Sequence, residues 1–184
     1  PSQVIYSGTL PSSLLPPLRA LYFGQAFAGI GSLAGATEQS QIASSQSRLL
    51  VDALTSGDLT EASLYAEQAL NVLDGASGDY YGDLDRDGLI QNPGDGYGLA
   101  VYLDDLVTEL ASLTEVVEEL PDAAVVISQT EQMVSDASAA QTLVIEAGEQ
   151  AYETFLAESV EDAQPNAADL LATVQEIEEL ADGL

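Results

Sequence analysis

The chain contains no cysteine, no histidine and no lysine, and its only basic residues are Arg19, Arg48 and Arg86. Without cysteine there is neither a disulfide nor thiol chemistry. Without cysteine or histidine there is no Ser-His or Cys-His pair and no His-bearing zinc site. The Glu-x-x-His pair of di-iron helical bundles is missing as well. No glycine-rich loop leads into a lysine, which argues against nucleotide chemistry. Phosphate backbones and anionic lipid need Lys or Arg, so nucleic acid is not an expected partner. Long apolar runs are absent too, and no membrane span is expected. The carboxylate pairs Glu118-Glu119 and Glu178-Glu179 sit on amphipathic stretches and read as solvated faces. These absences together point to a protein that is not an enzyme.

Acid, by contrast, is abundant. The 184 residues carry 31 Asp plus Glu and a net charge of −28, yet 46% are hydrophobic. Such a chain has enough apolar material to fold. Its self-repulsion calls for screening by salt or divalent cations. The first residue is Pro1 and the single methionine is Met133. This fits a chain processed by loss of a secretory leader, with an extracellular or cell-surface location.

Residues 1–13 read as an extended N-terminal arm, with β-prone Val4-Ile5-Tyr6 and helix-discouraging Gly8 and Pro11. Residues 14–184 read as one all-α domain, an antiparallel bundle of about five helices. Between Leu18 and Leu54, Gly29, Gly31 and Gly35 predict two helices or one kinked helix. Asp58, with Glu61 three residues on, predicts the start of a helix from Leu59 to about Leu73. Its face is Ala62, Ala66, Ala69 and Leu73, and Gly75 is its stop. The seam Leu99, Leu103, Leu106, Leu110, Leu113, Val117, Leu120 steps by four and three, and Pro121 ends it. Asp122 is a candidate cap for a long helix reaching about Ser159, with Val126, Thr130, Met133, Ala137, Ala140, Val144, Ala147 and Ala151 as its seam. Gln164-Pro165 predicts a break, and Asn166 the start of a final helix.

Residues 75–98 form a long connection dense in Gly and Asp, and such loops in compact domains are usually functional. Within it, Asp83, Asp85 and Asp87 alternate, Gly88 stands sixth, Leu89 seventh, Ile90 eighth and Gln91 ninth. Alternating carboxylates curl toward one centre, glycine permits the sharp turn, and the seventh residue offers its carbonyl. Calcium, a hard cation taking six to eight oxygens, is the ion this suits. Ile90 is expected to anchor the loop in the core. Position twelve, where a closing carboxylate normally stands, is Gly94, so Asp95 is the candidate to complete the shell. The expected ligands are therefore Asp83, Asp85, Asp87, Leu89, Gln91 and Asp95. Asp79 and Asn92 are candidates for a second, weaker site, and Tyr80, Tyr81 and Tyr97 are expected to cover the loop's apolar side. The alternative for the whole run is an acidic solvated turn.

The helix residues Ala66-Glu67-Gln68-Ala69-Leu70-Asn71, followed by Gly82-Asp83-Leu84-Asp85-Arg86-Asp87-Gly88 and Gln91-Asn92-Pro93-Gly94-Asp95-Gly96-Tyr97-Gly98-Leu99, resemble a pattern of exported bacterial helical-bundle proteins. The loop core is also similar to those of EF-hands and dockerins. The resemblance implies a helical bundle with an ion-binding loop between two helices. Gln68 stands where that pattern has histidine, so no histidine-based metal or haem role carries over.

The sequence reading is thus a secreted, calcium-stabilised structural protein that self-assembles into a cell-surface or extracellular filament or layer. The alternative is a periplasmic or surface module that binds a ligand or partner.

Overall fold

A computed structural model describes residues 11–23, 29–121 and 123–184. Most of the expected N-terminal arm, residues 1–10, and the cap expected at Asp122 lie outside them. All regular structure among the described residues is helical. After a 3-10 turn at Ser12–Leu14 come α1 (Leu15–Phe23), α2 (Ser32–Ser56), α3 (Leu59–Asp74), α4 (Leu99–Glu118), α5 (Ala124–Leu156) and α6 (Val160–Gly183).

Helices α2 to α6 make four rods, and the short α1 packs against α2 and α4. α2 packs against α3, α4 and α6, and α5 packs against the same three. The helices α3 and α4 run end to end. Gly75, which ends α3, and Gly98, which begins α4, meet backbone to backbone, so a Cβ on either would strike the other's chain. The Ala76 N–H also donates to Gly96 O at 2.8 Å. The α3–α4 pair is thus one interrupted rod, with residues 76–97 looping out at the interruption. Its neighbours are α2 on one side and α5 on the other, with α6 completing the bundle.

The apolar patterns explain the packing. Leu99, Leu103, Leu106, Leu110, Leu113 and Val117 are all buried, as the heptad seam requires. On α5, Ala137, Ala140, Val144, Ala147 and Ala151 are buried, whereas Val126, near its start, is 47% exposed. Facing them on α6 are Ala163, Ala167 and Leu170. Small side chains on both partners let the axes come close. The cap of α3 is as expected: Asp58 Oδ1 accepts from the Glu61 N–H at 3.0 Å.

Two boundaries differ from the sequence expectation. The break expected at Gln164-Pro165 does not occur. Ser159 caps α6 instead, accepting from the Asp162 N–H at 3.2 Å, and the helix continues through Pro165. Pro165 and Glu161 are both exposed, so the carbonyl that Pro165 leaves unpaired faces solvent. Among the three glycines, the helix is interrupted around Gly29 and Gly31, whereas Gly35 lies inside α2. There it makes room for Tyr102: a Cβ on Gly35 would overlap the Tyr102 ring.

The Tyr102 ring cannot easily withdraw, because it is fully buried and its hydroxyl is tied to Asp95 at 2.6 Å. Gly to Ala inside a helix normally stabilises by about 1 kcal/mol. Gly35→Ala is expected to do the reverse, lowering stability by about 1–3 kcal/mol through overpacking. Thermal unfolding of the variant checks this.

Candidate metal centre

The loop is fastened to α3 by two buried side chains one helical turn apart. Glu67 Oε2 accepts from the Leu84 and Asp85 N–H groups at 2.9 and 3.1 Å, and Oε1 accepts from the Gln91 N–H at 3.1 Å. Asn71 Oδ1 accepts from the Gly82 N–H at 2.8 Å. Its Nδ2 donates to Gly82 O at 3.1 Å and to Gln91 O at 3.0 Å. Both residues are wholly buried. The neighbouring Gln68 Nε2 adds a bond to Gln91 Oε1 at 3.1 Å. Residues 82–91 therefore find much of their backbone pairing on a helix rather than in a strand partner.

Inside this frame the acidic run curls on itself. Asp83 Oδ1 and Oδ2 accept from the Asp87 and Gly88 N–H groups at 3.0 and 2.9 Å. Asp85 Oδ1 accepts from the same Asp87 N–H at 3.0 Å. Asp87 Oδ1 takes the Leu89 N–H at 2.7 Å, and its Oδ2 takes Gln91 Nε2 at 3.3 Å. The turn needs positive φ at Gly88 (94°) and also at Arg86 (62°). The Arg86 value is uncommon for a residue with a Cβ.

Among the described residues, one group of acids comes together closely enough to hold a metal ion: Glu67, Asp83 and Asp85, whose ligand oxygens lie within 4.8 Å of one another. Asp83 and Asp85 are two of the expected ligands. Asp87, Leu89 and Gln91 lie on the same turn but outside that group. Asp95 points elsewhere: Oδ1 accepts from the Tyr97 N–H at 2.9 Å and Oδ2 from the Tyr102 hydroxyl at 2.6 Å. Asn92 Oδ1 accepts from the Gly94 N–H at 2.8 Å.

Glu67 was not among the residues expected at the site. The signal was present, since Glu67 and Asn71 are polar residues spaced i, i+4 on α3 beside the buried Ala66 and Leu70. Nothing in the linear spacing tied them to a loop 11 to 24 residues further on.

Ile90 does not anchor the loop. It is 54% exposed and Leu89 is 65% exposed. Leu84 and Tyr97 pack against the core instead. The fold also gives a reason for glycine at position twelve. A Cβ on Gly94 would overlap Gln39 Oε1 and crowd Val72, so this position sits against α2 and α3, and a side chain there would have to displace Gln39.

The tyrosines divide in two. Tyr97 and Tyr102 pack ring against ring, tilted by 57°, with centroids 4.7 Å apart. They tie the loop's exit to α4, Tyr97 by donating its hydroxyl to Asp105 at 2.7 Å. Tyr80 stacks on Tyr152 of α5 at 4.8 Å, and its N–H donates to Asp74 Oδ2 at 2.6 Å. The hydrogen bond to Asp105 holds the Tyr97 phenol up from 10.0 to about 12, with burial adding to the effect. Burial, then the Asp95 bond, raises Tyr102 as well.

Compared with known protein families, curated proteins and solved structures, the chain matches none, so its function is argued from this geometry.

Two outcomes follow. Asn71→Ala removes three hydrogen bonds at a buried position and is expected to cost about 2–4 kcal/mol. Limited proteolysis should then cut within residues 79–97 where the parent protein resists. At alkaline pH, the folded-state pKa values of Tyr97 and Tyr102 lie above their unfolded values. Their contribution is therefore full below about pH 10 and is lost as pH rises through about 12. Tyrosinate absorbance should show Tyr97 and Tyr102 among the late-ionising tyrosines. The Tyr97→Phe, Tyr102→Phe double variant should shrink that late step, leaving the contribution of Tyr65, which its hydrogen bond to Glu61 also raises.

Proposed function

We propose that this protein is an exported, non-enzymatic structural helical bundle whose interrupted rod is stapled by a calcium ion, and that it serves as a self-assembling subunit at the cell surface. The observation that carries the reading is the convergence of Glu67, Asp83 and Asp85 at the junction of α3 and α4.

The donor set is all carboxylate and carbonyl oxygen, which suits calcium, magnesium or manganese rather than zinc or copper. A curled loop with adaptable donors favours calcium over the rigid octahedron that magnesium demands. In this reading Asp83, Asp85 and Glu67 supply the carboxylates. Asp87, the Leu89 carbonyl and Gln91 complete the shell from the same turn. Glu67 takes the closing part that the sequence assigns to Asp95, because its carboxylate lies with those of Asp83 and Asp85 whereas Asp95 is turned to Tyr97 and Tyr102.

Electrostatics supports a staple. The stretch from Glu67 to Gly98 holds seven acids, Glu67, Asp74, Asp79, Asp83, Asp85, Asp87 and Asp95, against the single base Arg86. Filling the site removes two units of this repulsion where the rod is discontinuous. A cation that binds only the folded chain stabilises it by about 2.7 kcal/mol at a hundred times its Kd. A calcium sensor exposes a Met-rich groove on binding, and a chain with one methionine is poorly suited to that. Screening by divalent ions would also allow copies of charge −28 to approach one another.

Titration calorimetry with calcium chloride is expected to show saturable binding, lost in Asp85→Ala and weakened in Glu67→Gln, while Asp95→Asn binds as the parent does. Saturating calcium should raise the unfolding temperature, and chelator should reverse the rise. A thermal midpoint indifferent to chelator would sink the staple. Strictly monomeric sedimentation at high concentration in calcium buffer would sink the assembly.

A further inference from the structure

Beside the point where the loop leaves α3, a cleft of ≈ 190 Å³ opens between α3, α4 and α5. Its apolar lining comes from Leu73, Ala100 and Val144. Gly148 leaves it open, since a Cβ there would meet nothing within 4 Å. Two carboxylates from different elements line it, Asp74 at the end of α3 and Glu149 on α5, together with Tyr80 from the loop. Tyr80 is held in place by its bond to Asp74 and its stack on Tyr152. Ile145 stands beside this cleft, 65% exposed, and also lines the next depression along the α4–α5 groove.

We propose that this cleft binds a small primary alkylammonium ion. The volume is well below the roughly 300 Å³ at which drug-sized pockets begin, so it suits a group of a few heavy atoms. Two carboxylates exclude an anion and favour a cation. A hydrated metal ion would gain nothing from the apolar lining, whereas an alkyl stem would bury against it. The Tyr80 ring adds a face that attracts an ammonium group. The chain has no lysine, so the amine comes from outside it. Leu73, Val144 and Glu149 belong to helices, and Tyr80, though in the loop, is held by Asp74 and Tyr152 outside the Glu67, Asp83, Asp85 group, so this inference stands apart from calcium in the loop.

The probe is n-butylammonium, with n-butanol as its neutral counterpart, followed by methyl NMR of the full chain in calcium-containing buffer. Saturable shifts are expected at Leu73, Val144 and Ile145. Glu149→Gln, an exposed position, should weaken binding about fivefold, and Tyr80→Leu should weaken it as well. Glu115→Gln, on a distant exposed turn of α4, should leave it unchanged. The proposal is overturned if n-butanol binds equally well or if shifts spread unsaturably over the acidic surface. It is equally overturned if Glu149→Gln behaves as Glu115→Gln does. None of these results bears on calcium binding, which the Asp85→Ala calorimetry reads separately.

Discussion

The bundle depends on how a long polar connection is held in the middle of one of its rods. A loop between two stacked half-helices has backbone donors and acceptors that no strand or helix ladder satisfies, and leaving them unpaired near the core is costly. Glu67 and Asn71 supply six hydrogen bonds for this, three each, to residues 82, 84, 85 and 91. Both project from α3, so the loop's position is fixed by the half-rod it has just left. The exit is fixed from the other half-rod, through Tyr97 and Tyr102, packed ring against ring, and their bonds to Asp105 and Asp95. With both ends held, Gly75 and Gly98 touch and the α3–α4 column packs between α2 and α5.

Charge is distributed to suit. The rod interfaces are made of Leu, Val and a large share of Ala, with a row of buried Ser and Gln on α2, and nearly all the acid is on the outside. Among the described residues one ion pair forms, Arg48 with Glu178 at 3.7 Å between α2 and α6. Its arginine is more than half exposed, so its contribution is small. Cohesion therefore comes from apolar burial, opposed by surface repulsion that salt moderates. Glu67 is the exception: a fully buried carboxylate with backbone N–H groups as its hydrogen-bond partners. Its negative charge meets two further carboxylates across the loop, and that makes this the point where a cation has most to neutralise.

Much of the fold was legible because its signals are local and periodic. The Leu99–Val117 seam, the Asp58 cap and the small-residue face of α5 needed only spacing. The misread boundaries were those where context overrides a local rule. Pro165 is tolerated in α6 because the carbonyl it orphans faces water. Gly35 is retained in α2 because an aromatic ring from α4 needs its space. Neither neighbour is visible in a window of sequence. At the loop, Asp83, Asp85, Asp87 and Gly88 were legible from alternation, since the turn is built from its own side chains. Glu67 was not, because its role arises only when α3 and the loop lie together. Ile90 was misread for the reverse reason: borrowing the eighth-position anchor from related loops ignores that Leu84 already fills that part.

The same reasoning accounts for the loop's departure from the usual calcium spacing. In a loop that closes on itself, the last carboxylate must come from its own downstream end, which fixes an acid at position twelve. Here the downstream end is bound to another task. Gly94 lies against the tip of the Gln39 side chain of α2, which a larger residue would have to displace, and Asp95 is drawn away to the tyrosines that dock α4. The carboxylate that does approach Asp83 and Asp85 comes from the floor, from Glu67 on α3. Closing the site from a helix rather than from the loop's own end has a mechanical consequence. A cation held jointly by Glu67 and the Asp run would link α3 to the turn directly, so its binding energy would act on the discontinuity in the rod rather than on the loop alone.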